Sequence, residues 1–173
     1  MEGGKELDDS LIQAAIKGND EALILCLQHL SPQLVKTAAA LMGDSGSVED
    51  CIAETTLRVY KSRKQVKHPE FFKTWVIRIL INQCNNELKR QNRWIALSDD
   101  FDMPAPQKDD YSFVHDILAI LPNDLKEVVV LKYFHQMTFK EIARILDLPE
   151  STAKSRCRLA LTKMRVEMEE EDE

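Results

Sequence analysis

The stretch that decides the fold is "TFKEIARILDLPESTAKSRCRLALTKMR", residues 138–165. Its first part places apolar side chains at the i, i+3, i+4, i+7 spacing of one helix face, at Phe139, Ile142, Ala143 and Leu146. Residues 147–149 then interrupt the pattern, and a second helix is predicted over 150–168. The sequence therefore predicts a short helix, a tight turn and a longer helix.

The second helix of this stretch has two different faces. Small and apolar side chains fall on one side of a helical wheel, at Ala153, Cys157, Ala160, Leu161 and Met164. The opposite side carries hydroxyls and cations, at Ser151, Ser155, Arg158 and Thr162, flanked by Lys154 and Arg165. Small hydroxyls let a helix approach a surface closely, and long cations reach phosphates or base edges. The pattern favours a DNA-binding helix-turn-helix over a purely structural helical hairpin.

Charge is segregated along the chain, although the formal net charge is only -6. Residues 1–56 carry three cations and ten acids, whereas residues 57–94 carry ten cations and two acids. Residues 150–166 carry five cations and one acid, and residues 167–173 carry six acids. Two basic patches in an acidic chain indicate two places that meet a polyanion, with ordinary solvated helix faces as the alternative.

Composition narrows the class of protein. At 173 residues, 44% hydrophobic and 30% charged, the sequence is typical of a soluble protein. It has no apolar run of about 18 residues, and "MEGGKELDDS" at its start is unlike a signal peptide, so a cytoplasmic location is expected. The four cysteines are far apart, which predicts reduced thiols and no metal site or cofactor: Cys26, Cys51, Cys84 and Cys157.

The predicted fold class is all-α, with two helical domains joined by a short acidic linker. The acidic, proline-containing stretch "LSDDFDMPAPQKDDYS" predicts a linker at 97–110 between domains at 1–96 and 111–173. Predicted helices are 8–17, 20–30, 32–42, 47–62 and 70–92 in the first domain, and 112–120, 123–134, 139–146 and 150–168 in the second. Helix starts are expected at Asn123 or Asp124 and at Thr138.

Both halves of the sequence resemble one known family. "LPNDLKEVVVLKYFHQMTFKEIARILDLPESTAKSRCRLALTKMR", residues 121–165, resembles the DNA-binding domain of the bacterial extracytoplasmic-function (ECF) sigma factors. "SVEDCIAETTLRVYKSRKQVKHPEFFKTWVIRILINQCNNELKRQNR", residues 47–93, resembles the other conserved sigma domain. The resemblance implies a factor that binds core RNA polymerase, recognises -10 and -35 promoter elements, assists promoter melting, and is held by an anti-sigma factor.

The resemblance also implies roles for particular residues. Docking on the coiled coil of the polymerase largest subunit is expected from Glu49, Asp50 and Glu54, for which acids at a solvated helix start are the alternative. Contacts to the -10 element are expected from loop 61–70 and the next helix, at Lys64, Lys67, His68, Arg78, Asn82 and Arg90. Contacts to the -35 element are expected at Ser151, Thr152, Lys154, Ser155, Arg156 and Arg158. Trp75 is expected to pack in the core rather than to stack on a base.

Some positions depart from the family pattern. Ala53 stands where the family usually has Gln, which removes one polar contact to polymerase. Asp147 stands where a turn glycine is usual, but Asp tolerates the left-handed conformation better than most residues. Pro149 and Ser151 stand where Ser and Gly are usual.

Catalysis is not expected, because no nucleophile–base pair, carboxylate cluster or phosphate-binding glycine loop appears. A nuclease would need acidic metal ligands near the basic surface, and Glu70 and Glu87 are poor candidates. Two alternatives to a sigma factor stay open. One is a helix-turn-helix regulator that binds duplex operators without polymerase, and the other is a helical adaptor that binds proteins.

Overall fold

The structure is a computed structural model that describes residues 7–43, 47–97 and 112–171. Every regular element in these ranges is helical, which confirms the all-α fold. The α-helices are α1 (Asp9–Lys17), α2 (Asp20–Met42), α3 (Val48–Ser62), α4 (Phe72–Leu97), α5 (Ser112–Ala119), α6 (Asn123–Val129), α7 (Phe139–Leu146) and α8 (Glu150–Glu171). Two short 3-10 helices, Arg63–Gln65 and Pro69–Phe71, connect α3 to α4.

Helices α1 and α2 meet at a tight corner. Gly18 ends α1 with a φ of 112°, in the left-handed region that favours glycine. Asn19 caps α2, because its side-chain oxygen accepts a hydrogen bond from the backbone N–H of Ala22 at 2.9 Å. The corner is therefore fixed by local sequence.

The expected break between two helices at Ser31 and Pro32 is wrong, since α2 runs through it. Proline has no backbone N–H, so the carbonyl of Gln28 loses its helical donor. Both Gln28 and Pro32 are exposed, where water can satisfy that carbonyl. On the opposite side, the buried Leu30 and Leu34 hold the helix against the core. Packing of these leucines in the core outweighs the helix-breaking effect of Pro32.

The helix-turn-helix forms as the sequence predicts. Thr138 begins α7 in a capping box: its hydroxyl accepts from the backbone N–H of Glu141, whose carboxylate accepts from the backbone N–H of Thr138. Asp147 ends α7 in the left-handed region (φ 54°, ψ 52°), with its N–H directed to the carbonyl of Ala143. The aspartate therefore makes the turn without glycine.

The single helix expected over 123–134 is partly wrong. It begins at Asn123, as expected, but α6 ends at Val129 and Val130–Phe134 forms a π-helical turn. Val128 in α6 and Leu131 in the π turn are both fully buried, so both segments contribute to the core. The π turn leads into His135, which is buried against the other half of the molecule.

The N-terminal half (α1–α4) and the C-terminal half (α5–α8) pack directly against each other. Helix α2 contacts α5, α6 and the π turn, and α4 contacts α7. Buried apolar side chains from both halves form a continuous core. Apart from Leu97, the last residue of α4, the predicted linker lies outside the described residues, and the predicted domain boundaries stay a prediction.

Candidate nucleic-acid interface

The segment between α3 and α4 presents cations and an aromatic ring to solvent. Lys64, Lys67 and His68 are all exposed, as a contact to nucleic acid requires. The His68 ring packs edge-on against Phe71, with ring centroids 6.1 Å apart. Phe71 is 50% exposed, although the predicted contacts omit it. An exposed ring beside cations can stack on an unpaired base.

Helix α4 continues this basic surface. Arg78 and Asn82 lie one turn apart and are exposed, so both can reach a strand that runs across the helix. Arg90 is also exposed, but it pairs with Glu87 at 2.7 Å, and this carboxylate raises the pKa of the guanidinium. Trp75 is half-buried and packs against Phe72, with centroids 6.0 Å apart, which fits the expected core position.

The three acids predicted to bind polymerase differ in their surroundings. Glu49 and Asp50 are exposed in the first turn of α3. Glu54 instead pairs with Arg58 at 3.0 Å, so its charge is partly balanced within the helix. Ala53 is exposed between them and offers no polar group where the family has Gln. The acidic face is therefore concentrated at the start of α3.

The predicted -35 residues lie along one side of α8. Ser151, Lys154, Ser155 and Arg158 are exposed, whereas Thr152 and Arg156 are half-buried. Lys154 pairs with Glu150 at 2.7 Å, and Arg156 lies 3.5 Å from the carboxylate of Asp124. Two of the three predicted cations are thus already in ion pairs.

The opposite side of α8 packs inward, with one exception. Ala153, Cys157 and Ala160 are buried against the core, as the helical wheel predicts. Leu161 is 40% exposed, so the expectation that it packs is wrong. It lies instead at the rim of an apolar cavity of about 290 Å³ that Tyr133 and Met164 also line.

Side-chain hydrogen bonds join the halves, and no local sequence pattern predicts them; the longest, at 3.4 Å, runs from the Gln33 amide to the backbone carbonyl of Phe134. His135 and Thr37 are hydrogen-bonded at 2.7 Å, and burial, with a smaller contribution from Lys73, lowers the pKa of His135 to about 4. Asn85 on α4 donates to the Glu127 carboxylate at 2.5 Å, and burial raises the pKa of Glu127. Each partner is separated from the other by tens of residues, so no local pattern links them.

Further features of the described residues are the side chains that can bind metal ions, the apolar helices and the cysteines. Residues 7–43, 47–97 and 112–171 contain no group of three His, Cys, Asp or Glu side chains placed to hold a metal ion. None of the helices within these ranges has the length and apolar character needed to cross a membrane. All four cysteines are free and buried, and the sulfur atoms of Cys51 and Cys84 lie 3.3 Å apart.

Two segments of the chain match family models of known proteins. Residues 26–94 match the family model for sigma-70 region 2, and residues 114–164 match that for sigma-70 region 4. RNA polymerase sigma factor SigV of Bacillus subtilis is 25% identical over 154 residues, covering 87% of this chain and 93% of the relative. The ECF RNA polymerase sigma-E factor of Escherichia coli K12 is 26% identical, covering 86% of this chain and 87% of its own. This chain belongs to the ECF sigma factors.

Solved structures show the same fold for this sigma factor. CnrH, determined in complex with the cytosolic domain of CnrY, superposes with a TM-score of 0.74 and 20% identity, over 95% of this chain and 98% of that one. The sigma factor RpoE of Bartonella quintana, determined with the anti-sigma factor NepR, gives a TM-score of 0.73 and 20% identity, over 83% and 94%. These structures therefore confirm the expected all-α fold.

Proposed function

We propose that this sigma factor binds core RNA polymerase, directs it to promoters with matching -10 and -35 elements, and assists melting of the promoter. One observation carries the proposal: segments matching sigma-70 regions 2 and 4 lie in one chain, in that order. The match of residues 26–94 to region 2 also favours this function over a regulator that binds duplex operators alone. A protein-binding adaptor would have no need of two exposed basic surfaces.

The first turn of α3 docks on polymerase. Glu49 and Asp50 are exposed there, and they present negative charge to a basic partner surface. The family resemblance implies that this surface is the coiled coil of the polymerase largest subunit. Glu54 contributes less, because Arg58 already pairs with it.

The segment between α3 and α4, with the adjoining face of α4, binds the -10 element. Lys64 and Lys67 hold the phosphates of a separated strand, and the exposed ring of Phe71 is available to an unstacked base. Arg78 and Asn82 extend the contact along α4. Holding one strand in this way favours the melted promoter over the duplex.

Helix α8 enters the major groove at the -35 element. Ser151 and Ser155 allow close approach, and Arg158 reaches beyond them to base edges or phosphates. Lys154 and Arg156 join the contact by exchanging their carboxylate partners for DNA phosphates.

The partners follow from this role. They are core RNA polymerase, promoter DNA and an anti-sigma factor, and the site of action is the cytoplasm, where these are found. The sigma factor contributes recognition and strand separation and is not itself an enzyme. It uses no cofactor, metal ion or small-molecule substrate.

Transcription in a reconstituted system tests the proposal. Core RNA polymerase, nucleotides and a library of randomised promoters are mixed with and without the chain, and the transcripts are sequenced. A sigma factor yields transcripts whose templates share two sequence elements at a fixed separation. Binding to duplex DNA without any dependence of transcription on the chain would instead identify the operator-binding regulator.

A further inference from the structure

Arg63 is a buried cation at the start of the segment that joins α3 to α4. Its side chain is 8% exposed, and its guanidinium donates to three groups. Nη1 donates to the backbone carbonyl of Tyr60 at 2.6 Å. Nη2 donates to the backbone carbonyl of Gly18 at 3.3 Å and to the carboxylate of Asp20. The guanidinium also lies over the Tyr60 ring, 4.3 Å from its centroid.

These contacts are costly in themselves. Burial costs the guanidinium its hydration, and the pair with Asp20 regains little of that cost, because the Asp20 side chain is 57% exposed and water screens the interaction. Here the pairing is also incomplete, since Nε of Arg63 is buried without a hydrogen-bond partner in the described residues. Stability alone therefore does not account for an arginine at this position.

Arg63 fixes the direction in which the chain leaves α3. The guanidinium fork has fixed geometry, and here it spans from the end of α3 to the corner between α1 and α2. An apolar residue would fill the space but would not fix the angle at which the chain leaves α3. Helix α1 packs against both 3-10 helices that follow, so the corner supports the whole segment from Arg63 to Phe71.

Lys64, the next residue, lies close to the corner between α1 and α2. A Cβ atom placed on Gly18 would lie 3.3 Å from Cε of Lys64, so the lysine stem runs along the corner. Val66 is buried, whereas the next two residues, Lys67 and His68, are exposed. The orientation of these cations therefore depends on where Arg63 anchors the segment.

We infer that Arg63 is a positioning residue for recognition of the -10 element, through its hydrogen bonds to Asp20 and the α1–α2 corner. It touches no DNA itself and orients Lys64, Lys67 and His68. The inference rests on the proposed function, because it assigns the -10 contacts to this segment.

The test compares four variants of the full chain bound to core polymerase. Arg63→Met removes the fork, Arg63→Lys keeps the charge without the fork, and Asp20→Asn removes the charged partner. Arg58→Met is the matched control, in an exposed arginine five residues earlier. The probe is a single-stranded DNA enriched from a random pool by the wild-type complex, together with a scrambled strand of equal composition. Thermal unfolding and affinity for core polymerase are measured in parallel.

Arg63→Met is expected to lower affinity for the enriched strand about tenfold and to lose preference over the scrambled strand. Its unfolding temperature and polymerase affinity should stay at the wild-type level, and Asp20→Asn should show a smaller loss of the same kind. Arg58→Met should retain the preference. Arg63→Lys should not rescue it, because an ammonium cannot donate along the directions of the fork.

Retained strand preference in Arg63→Met overturns the inference. A parallel loss of stability, polymerase binding and strand binding in Arg63→Met and Asp20→Asn also overturns it, because Arg63 would then support the fold alone. If Arg63→Met does not fold, the strand preference of Asp20→Asn decides, since the Asp20 side chain is 57% exposed. If wild type enriches no strand at all, the proposed function itself fails.

Discussion

Nε2 of His135 lies 2.7 Å from Oγ1 of Thr37, which ties the chain after the π turn to α2. The Thr37 hydroxyl has one proton and directs it to the carbonyl of Gln33 at 2.7 Å. The imidazole must therefore donate from Nε2, leaving Nδ1 unprotonated. Nδ1 is buried with no hydrogen-bond partner in the described residues, so a second proton there would be an unsatisfied charge.

Low pH should therefore destabilise the folded state through protonation of His135. Burial lowers its pKa from 6.5 to about 4, so the unfolded chain binds more protons than the folded chain between these values. The stability that the neutral His135 contributes is fully present above pH 6.5 and decreases as the pH falls. Below pH 4 the loss of unfolding free energy reaches about 3 kcal/mol. The measurement is urea unfolding of the full chain at several pH values.

The control for this prediction compares the pH dependence of the unfolding free energy in wild type and in a variant without His135. Glu127 contributes in the opposite direction, because its raised pKa makes the folded chain bind more protons than the unfolded one. Subtracting the curve of His135→Gln from that of wild type isolates the histidine. The same slope in His135→Gln and wild type would contradict the prediction.

The second contact between the halves should be important for stability. Asn85→Ala leaves the buried Glu127 carboxylate without its donor, and should cost about 1 to 3 kcal/mol of unfolding free energy. Asn86→Ala is the matched control, since Asn86 is exposed on the same helix. Urea unfolding at neutral pH gives both values. Equal effects of the two substitutions would show that the Asn85–Glu127 hydrogen bond does not contribute.

Features governed by local sequence were predictable from it. The helix start at Thr138 and the turn at Asp147 depend on residues within four positions of each other, and both form as expected. The family followed from two motifs that are each contiguous in sequence. The alternation of charge likewise identified the exposed cations of α8.

Features governed by contacts distant in sequence were not predictable. Pro32 breaks a helix in isolation, yet its neighbours Leu30 and Leu34 keep α2 packed. Arg63 appears in sequence as one more cation of a basic stretch, and its burial depends on Gly18 and Asp20, more than forty positions away. Similarly, nothing near Arg156 signals its pairing with Asp124.

Polymerase docking should depend on the charge of Asp50. Asp50→Arg reverses an exposed charge in the first turn of α3 and should abolish capture of core polymerase. The helix loses about 1 kcal/mol through the dipole at its N-terminus, and the favourable interaction of Asp50 with Arg90 is also lost. Glu21→Arg is the matched control, because Glu21 occupies the first turn of α2 and is also exposed. Capture by immobilised polymerase at equal concentrations distinguishes the two; equal capture would exclude this face.

Recognition of the -35 element should depend most on Arg158. It is exposed, and no ion pair is seen for it among the described residues, whereas Lys154 and Arg156 must first release carboxylates. A base-reading contact predicts that Arg158→Ala weakens binding to the matched duplex by about 1 to 3 kcal/mol and leaves scrambled duplex unchanged. A contact to phosphate alone predicts equal weakening of both and a salt slope smaller by about one unit.

Two lysines of α8 provide the internal comparison for this prediction. Lys154 lies in the first turns of α8 beside Ser151 and Ser155, whereas Lys163 is also exposed but lies about 13 Å further along the helix axis, beyond the predicted contacts. Lys154→Ala should reduce the salt slope and Lys163→Ala should not, since only the first meets phosphate. Binding of the full chain to matched and scrambled duplexes across a salt series measures all three variants. Wild-type behaviour of both Arg158→Ala and Lys154→Ala, or equal wild-type affinity for the two duplexes, would show that α8 does not read the promoter.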